Sequence, residues 1–173
     1  MDPMTSQGSP WRDDTGRDDP RGGVVIRTAM EADLERIVEL LVLGAVSGAP
    51  AGIEDPTDLS PYRAALAEVQ AGEGAVLVAE LEGRVVGTCQ LIVFRHLQRR
   101  GGRCAEIESL HVHPDHRGTG IGTTLLAAAV ARARALGCYR VQLTSNTLRG
   151  DAHRFYERQG FVPSHVGFKL ALR

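Results

Sequence analysis

Residues Leu110 to Leu126 read LHVHPDHRGTGIGTTLL: an alternating apolar run, a proline, then three glycines in five positions leading into an apolar helical pattern. The run ends a strand by its period of two, while Ile121, Leu125, Leu126, Val130, Ala133 and Leu136 recur at the spacing of one helix face. The glycine-rich piece therefore joins a strand to a helix N-terminus. Gly118, Gly120 and Gly122 leave the backbone bare and supply positive-φ positions, and a helix start adds unpaired N–H groups and the positive end of its dipole. Arg117 stands beside them as a fixed cation. Arg117, Gly118, Thr119, Gly120, Ile121, Gly122 and Thr123 thus form a candidate cradle for phosphate oxygens.

Working outward, the strand that feeds this loop, RCAEIESLHV over 103–112, changes phase. Strict alternation puts Ile107 with Ser109 and His111, but Leu110 and Val112 with Glu106 and Glu108. Either a β-bulge slips the register or the strand is buried on both faces. Upstream, AVLVAEL and RVVGTCQLIVF across Glu82-Gly83 read as a hairpin, and RHLQRRGG turns into the fourth strand. VVIR from Val24 is a first strand. Thr28 with Glu31 resembles a capping box ahead of a helix through Leu34, Ile37, Val38, Leu41 and Val42. Gly48 to Pro56 is loop, and Ser60 as N-cap with Pro61 at the first helical position opens a second helix through Leu66 and Val69. Downstream, YRVQLTS is a strand, Asp151 to Gln159 a short helix closed by Gly160, and FVPSHVGFKLAL the last one or two strands. The expected class is α/β: a mixed, twisted β-sheet flanked by helices, in one domain over 24–173.

Residues 1–23 hold five Asp, three Arg, Pro, Gly and Ser without periodicity, the composition of a disordered tail; its Trp11 is given no function. Across 173 residues, 20 Lys+Arg against 21 Asp+Glu leave a net charge of −1, which argues against nucleic acid or an anionic membrane as partner. No run of 18 apolar residues suggests a membrane span, and the Asp-rich start is no secretory signal. Cys89, Cys104 and Cys138 are odd in number and widely spaced, so neither a disulfide framework nor a zinc ribbon is expected, and a reducing cytoplasm fits. The partners expected are small molecules.

Which phosphate ligand is meant narrows by spacing. The one lysine is Lys169, so no Gly-Lys-Ser/Thr loop exists, and a dinucleotide fingerprint would need G-x-G-x-x-G with an acidic residue closing the next strand, which here ends LTSN. The form Arg117-x-x-Gly120-x-Gly122, after a strand ending Leu110-x-Val112-x-Pro114, resembles the acetyl-CoA pyrophosphate loop of the GNAT superfamily of N-acetyltransferases. The resemblance runs from about Val24 to Leu172 and includes the element order. It implies the acyl-CoA N-acyltransferase fold, with acetyl-CoA as co-substrate. It also implies a bulged fourth strand whose backbone at Leu110, His111 and Val112 serves the pantetheine arm and thioester, and Tyr156 of FYERQGF beside the thioester sulfur. The last third is similar to small-amine members, including aminoalkylphosphonate N-acetyltransferases. Many members carry Asn seven residues before this tyrosine; this chain has Arg149 there and Asn146 three residues earlier, so Asn146 is the candidate for that cofactor contact. Members often form dimers, although no interface is legible in this sequence.

An alkylammonium with pKa near 10 must lose a proton before it can attack a thioester. Glu108, on the strand that the resemblance turns toward the cofactor, is the candidate base, with Glu106 its neighbour on the same face; Tyr156 would protonate the departing thiolate. For these side chains the alternative roles are a solvated or ion-paired carboxylate and a packed aromatic. Arg95, Arg99, Arg100 and Arg103 in the third turn, with Arg149 and Arg154, either hold an anionic group on the acceptor or form a solvated basic surface. His111, His113 and His116 raise a metal site, but the loop spacing is already accounted for, so no metal is expected. The expected activity is acetyl transfer from acetyl-CoA to a small-molecule primary amine by direct attack in a ternary complex. The alternatives are a non-catalytic CoA-binding or metal-sensing module and acetylation of a protein amine.

Overall fold

The structure is a computed structural model that describes residues 23–45 and 53–172. The tail expected over 1–23, apart from Gly23, and most of the loop expected from Gly48 lie outside the described residues. Five strands form one sheet in sequence order: β1 (Val24–Thr28), β2 (Ala75–Leu81), β3 (Arg84–Arg95), β4 (Arg103–Val112) and β5 (Cys138–Leu143). The first four pair antiparallel and β5 runs parallel to β4. Helices α1 (Leu34–Leu43), α2 (Ser60–Ala71), α3 (Ile121–Ala135) and α4 (Gly150–Arg158) complete the α/β architecture.

β2 shows why the sheet carries a layer on each face. Its alternate residues Ala75, Leu77 and Ala79 join Ile121, Leu125, Leu126, Ala129 and Ala133 of α3 in one core. Val78 joins Leu34, Ile37 and Leu40 of α1 and Leu66 of α2 in the other. A strand buried on both sides loses the polar alternation of a surface strand, which is why AVLVAEL reads as nearly continuous apolar sequence. At Gly87 of β3 an added Cβ would lie 2.9 Å from Leu125 Cδ1 and 3.2 Å from the His111 carbonyl oxygen, so the missing side chain is what lets α3 settle close over β3 and β4.

Three local expectations are corrected. The capping box on Thr28 and Glu31 does not form: Thr28 ends β1, the Met30 N–H donates to the Asp33 carboxylate at 2.7 Å, and Glu31 pairs with Arg63 instead. Ser60 is the first residue of α2 rather than its cap, and its N–H donates to Asp58 Oδ1 at 3.0 Å. The segment 161–172 is no strand: beyond Phe161, whose N–H donates to the Tyr156 carbonyl at 3.0 Å, it makes no backbone hydrogen bond within the described residues. Its alternating sequence is suited to a strand, and β5 ends the sheet beside it, but no ladder forms between them among the described residues. No helix among the described residues is long and apolar enough to cross a membrane.

Candidate functional site

The phase change in β4 is a β-bulge. Gln90 pairs with Glu108 and Thr88 with His111, so three steps on β4 oppose two on β3, and Ser109 takes φ 51°. The slip lets Leu110 and Val112 follow Ile107 into the core beside α3, while His111 is turned to the opposite face, toward α1. There its ring fills the place of a side chain at Gly44: an added Cβ would fall 1.8 Å from His111 Nδ1. Burial lowers the His111 pKa to about 4, helped by the positive charges of Arg149 and Arg117, so the imidazole is neutral at pH 7.

On its other edge β4 is only half used. Its pairing with β5 runs from Arg103 opposite Cys138 to Ile107 opposite Leu143 and stops there, although β4 continues to Val112. From Glu108 onward the two strands part, leaving one edge of a strand free beside the segment that leads to α4. Ser145, just past the end of β5, has a buried hydroxyl with no partner among the described residues. Sequence reasoning passed over it, and the only signal was a hydroxyl residue immediately beyond a strand, whose meaning depends on where the β4–β5 pairing ends.

At the far end of this free edge lies the glycine loop. A short 3₁₀ turn over Pro114–His116 leads to Gly118 at φ 78° and Gly120 at φ 96°, values that suit a residue without a Cβ. The first amide of α3 to bond back is Thr124, which donates to the Gly120 carbonyl at 3.1 Å. The N–H groups of Gly118, Thr119, Gly120, Ile121, Gly122 and Thr123 have no acceptor among the described residues. Arg117 lies against them, its Nε donating to the Val112 carbonyl at 3.2 Å, and the Thr119 hydroxyl donates to the His116 carbonyl at 2.7 Å. Gly122 faces Val112 and Phe155 at ordinary contact distance, so the helix start lies directly above the free edge of β4. Six free donors at the positive end of a helix, with a cation alongside, suit a pyrophosphate in their chemistry.

Glu108 and Tyr156 flank the opening. The Glu108 carboxyl is pushed above the usual carboxylate range first by burial and then by the charge of Glu106; Lys169 pulls it the other way. Glu106 itself accepts from Gln142 Nε2 at 3.0 Å. Tyr156 stands edge-on to Phe155 and Phe161, with ring centroids 5.2 and 6.0 Å away, and its hydroxyl has no hydrogen-bond partner among the described residues. Burial raises its pKa, Arg149 opposes that, and Glu108 adds to it, so Arg149, Glu108 and Tyr156 share one electrostatic environment. A neutral phenol in that position is able to donate a proton.

Asn146 is differently employed. Its Oδ1 accepts from the Leu148 N–H at 2.9 Å and its carbonyl from the Arg149 N–H at 3.0 Å, and His153 Nε2 lies 2.9 Å from that carbonyl, so it shapes the turn into α4. The arginines of the third turn are not brought to the opening. Arg103 begins β4, and at about 3.3 Å per residue it lies roughly 16 Å from Glu108, where the free edge starts, and roughly 30 Å from Val112. It pairs with Glu73 at 2.6 Å, and Arg95 donates to the Gly101 carbonyl at 3.0 Å. Arg99 and Arg140 lie over the Tyr139 ring, 5.7 and 5.4 Å from its centre. His113 and His116 face one another with ring centres 5.9 Å apart, and among the described residues no three His, Cys, Asp or Glu are arranged to hold a metal.

A mixed five-stranded open sheet, flanked by helices and parted at its fourth and fifth strands above a glycine-rich helix start, defines a protein of the acyl-CoA N-acyltransferase fold. The chain belongs to the acetyltransferase (GNAT) family, whose model matches residues 27–161. A solved Bacillus halodurans C-125 protein described as a transcriptional regulator superposes with a TM-score of 0.79 at 35% identity, over 86% of this chain and 99% of that one. Among curated relatives, an aminoalkylphosphonate N-acetyltransferase of Salmonella typhimurium is 43% identical over 90 residues, 52% of this chain and 58% of that protein. A glucosamine 6-phosphate N-acetyltransferase of Trypanosoma brucei brucei is 31% identical over 152 residues, 85% of this chain and 95% of that one.

Proposed function

We propose that the protein moves the acetyl group of acetyl-CoA to the primary amine of a small molecule that also carries a phosphate or phosphonate. The observation that carries this reading is the free edge of β4 from Glu108 to Val112, ending at six unpaired amides and Arg117. Such an edge takes an extended arm by backbone hydrogen bonds, as an added strand would, while the helix start takes its phosphates. Leu110, His111 and Val112 offer that arm their backbone; Arg117 through Thr123 hold the pyrophosphate; the Ser145 hydroxyl and the side-chain amide of Asn146, on the segment after β5, are the polar groups left over to meet the arm.

In this reading Glu108 accepts a proton from the acceptor's ammonium group, directly or through water. The freed amine attacks the thioester carbonyl carbon, the carbon–sulfur bond breaks, and Tyr156 gives the departing sulfur its proton. The raised pKa of Glu108 suits it as a base, and a CoA thiolate leaves readily enough that Tyr156 assists rather than enables. Arg149, within electrostatic reach of both Tyr156 and His111, is the cation placed to meet the acceptor's anionic group. Two relatives are named for amines of that kind, an aminoalkylphosphonate and glucosamine 6-phosphate.

The test is release of CoA thiol from acetyl-CoA across matched amines with and without a phosphonate or phosphate, alongside calorimetric binding of acetyl-CoA. Release with the anionic amines, and loss of that preference in Arg149→Ala, is expected. Acetyl-CoA binding without release on any amine would reduce the protein to a CoA-binding module, and release on a peptide amine alone would move the acceptor to a protein.

A further inference from the structure

Of the lysines and arginines in the sequence, Lys169 alone is a lysine. A guanidinium stays protonated and does not attack a thioester, so Lys169 carries the one side-chain primary amine that can accept an acetyl group. Its place in the fold matters as much as its chemistry. Ile107 of β4 lies opposite Leu143 of β5 in the last pair of the ladder, so Thr144 follows that pair on one strand as Glu108 does on the other. Gly167 passes Thr144 closely enough that an added Cβ would lie 3.8 Å from Thr144 Cγ2. Lys169 comes two residues after Gly167, at most about 7 Å of extended chain, and its ammonium sits on a flexible four-carbon stem. The end of the chain thus returns its lysine to the point where β4 and β5 part, and the Lys169 charge acts on the Glu108 carboxyl.

Little ties that lysine down. It is exposed, no hydrogen bond or ion pair holds its ammonium among the described residues, and from Val162 to Leu172 no backbone group bonds to another. A lysine serving the fold would be paired, yet Glu106 takes its hydrogen bond from Gln142 instead. An amine tethered in this way competes with dissolved acceptors at an effective concentration on the order of millimolar.

We propose that Lys169 is a self-acetylation site: with acetyl-CoA bound and no acceptor present, the lysine of the same chain takes the place of the acceptor amine. The step rests on the function proposed above. Glu108 takes a proton from the Lys169 ammonium, and Nζ attacks the thioester carbonyl carbon. The nitrogen–carbon bond forms, the carbon–sulfur bond breaks, and the sulfur leaves as CoA thiol with a proton from Tyr156. The second proton lost from nitrogen restores Tyr156, and the one held by Glu108 passes to water. The product side chain is neutral, so it no longer favours the Glu108 carboxylate, and the proposed base ionises less readily.

Incubation of the full chain with acetyl-CoA and no added amine, followed by peptide mass spectrometry, tests this. One acetyl group on Lys169 is expected, at a rate per chain that does not change when the protein is diluted and that is lost in Glu108→Gln. The equivalent of CoA thiol released with it should be lost in Lys169→Arg, which keeps the charge and removes the amine. An equal rate in urea-unfolded chain or in Glu108→Gln would make the modification uncatalysed chemistry of an exposed amine. A rate per chain that rises with protein concentration would place the transfer between chains. Each of these overturns the inference. An unmodified Lys169 also overturns it, and thiol release on added amines then separates the two readings: with release, the proposed function stands and the self-transfer alone fails; without it, both fail.

Discussion

At the β1–β2 end of the sheet, Arg27 donates to both oxygens of Asp33, at 2.6 and 2.8 Å, and through Nε to Glu80 at 2.8 Å, while Asp33 also accepts the Met30 N–H. Every strong donor there has an acceptor, and Asp33 is 7% exposed. At the β4–β5 end the pairing stops at Ile107 and Leu143, and six amides of the glycine loop and the hydroxyls of Ser145 and Tyr156 have no partner among the described residues. Leaving such groups unpaired costs stability, and a fold keeps that cost where a ligand is to be bound. The two ends therefore differ in purpose: one holds the sheet together, and the other withholds its hydrogen bonds.

If that division is right, mutations at the two ends separate stability from activity. The largest effect is expected from Asp33→Ala, which strands the Arg27 guanidinium and the Met30 amide; losing one member of a buried pair costs about 3 kcal/mol. Urea unfolding should show that loss, with acetyl-CoA affinity unchanged in the folded fraction. The Asp33 carboxyl is held below its ordinary value chiefly by its bond to Arg27. Its contribution is therefore present above pH about 4 and lost as the pH falls through its folded pKa, so the deficit of Asp33→Ala should shrink in strong acid. An Asp33 variant of normal stability and lowered turnover would break the comparison.

Glu108→Gln is the counterpart at the open end. It keeps the shape of the side chain and removes the proposed base, so kcat/KM for the amine should fall about 100-fold, near 2.7 kcal/mol, with acetyl-CoA binding and urea midpoint unaltered. Equal turnover in this variant would return Glu108 to the role of a solvated carboxylate.

How far the sequence carried depended on whether a feature was local. The glycine loop was legible because three glycines, a preceding arginine and a following apolar face all lie within a few residues. The phase change at Ser109 was legible as an irregularity, but its two explanations separated only when the pairing of β4 with β3 showed two residues, Ser109 and Leu110, against one, Cys89. The arginines of the third turn were misplaced for want of a length: ten residues of extended β4 carry Arg103 far from Val112, which composition does not reveal. FVPSHVGFKLAL has the alternation of a strand, yet alternation specifies a face and not a partner, and among the described residues the segment joins no ladder. Ser145 was missed because the parting of β4 and β5 is a property of pairing between strands some 35 residues apart in the chain.

The smallest expected effect is a displacement along the pH axis, and it sharpens the account of the open end. If Glu108 must be ionised to take the proton, kcat/KM falls on the acid side as it becomes protonated. Because burial and the neighbouring Glu106 hold its pKa above the usual range, that limb should lie above the ordinary glutamate value near 4.3. Glu106→Gln removes a like charge, makes ionisation of Glu108 easier, and should move the limb to lower pH. Lys169→Met removes a cation that favours the carboxylate and should move it to higher pH. The free fraction of the amine substrate also changes with pH, but identically for every variant, so ratios of the profiles measured with one amine cancel it. Opposite displacements in the two variants, and no such limb in Glu108→Gln, would assign the titration to Glu108; coincident profiles would assign the proton to another group, with the neutral His111 on the same face of β4 the next to test.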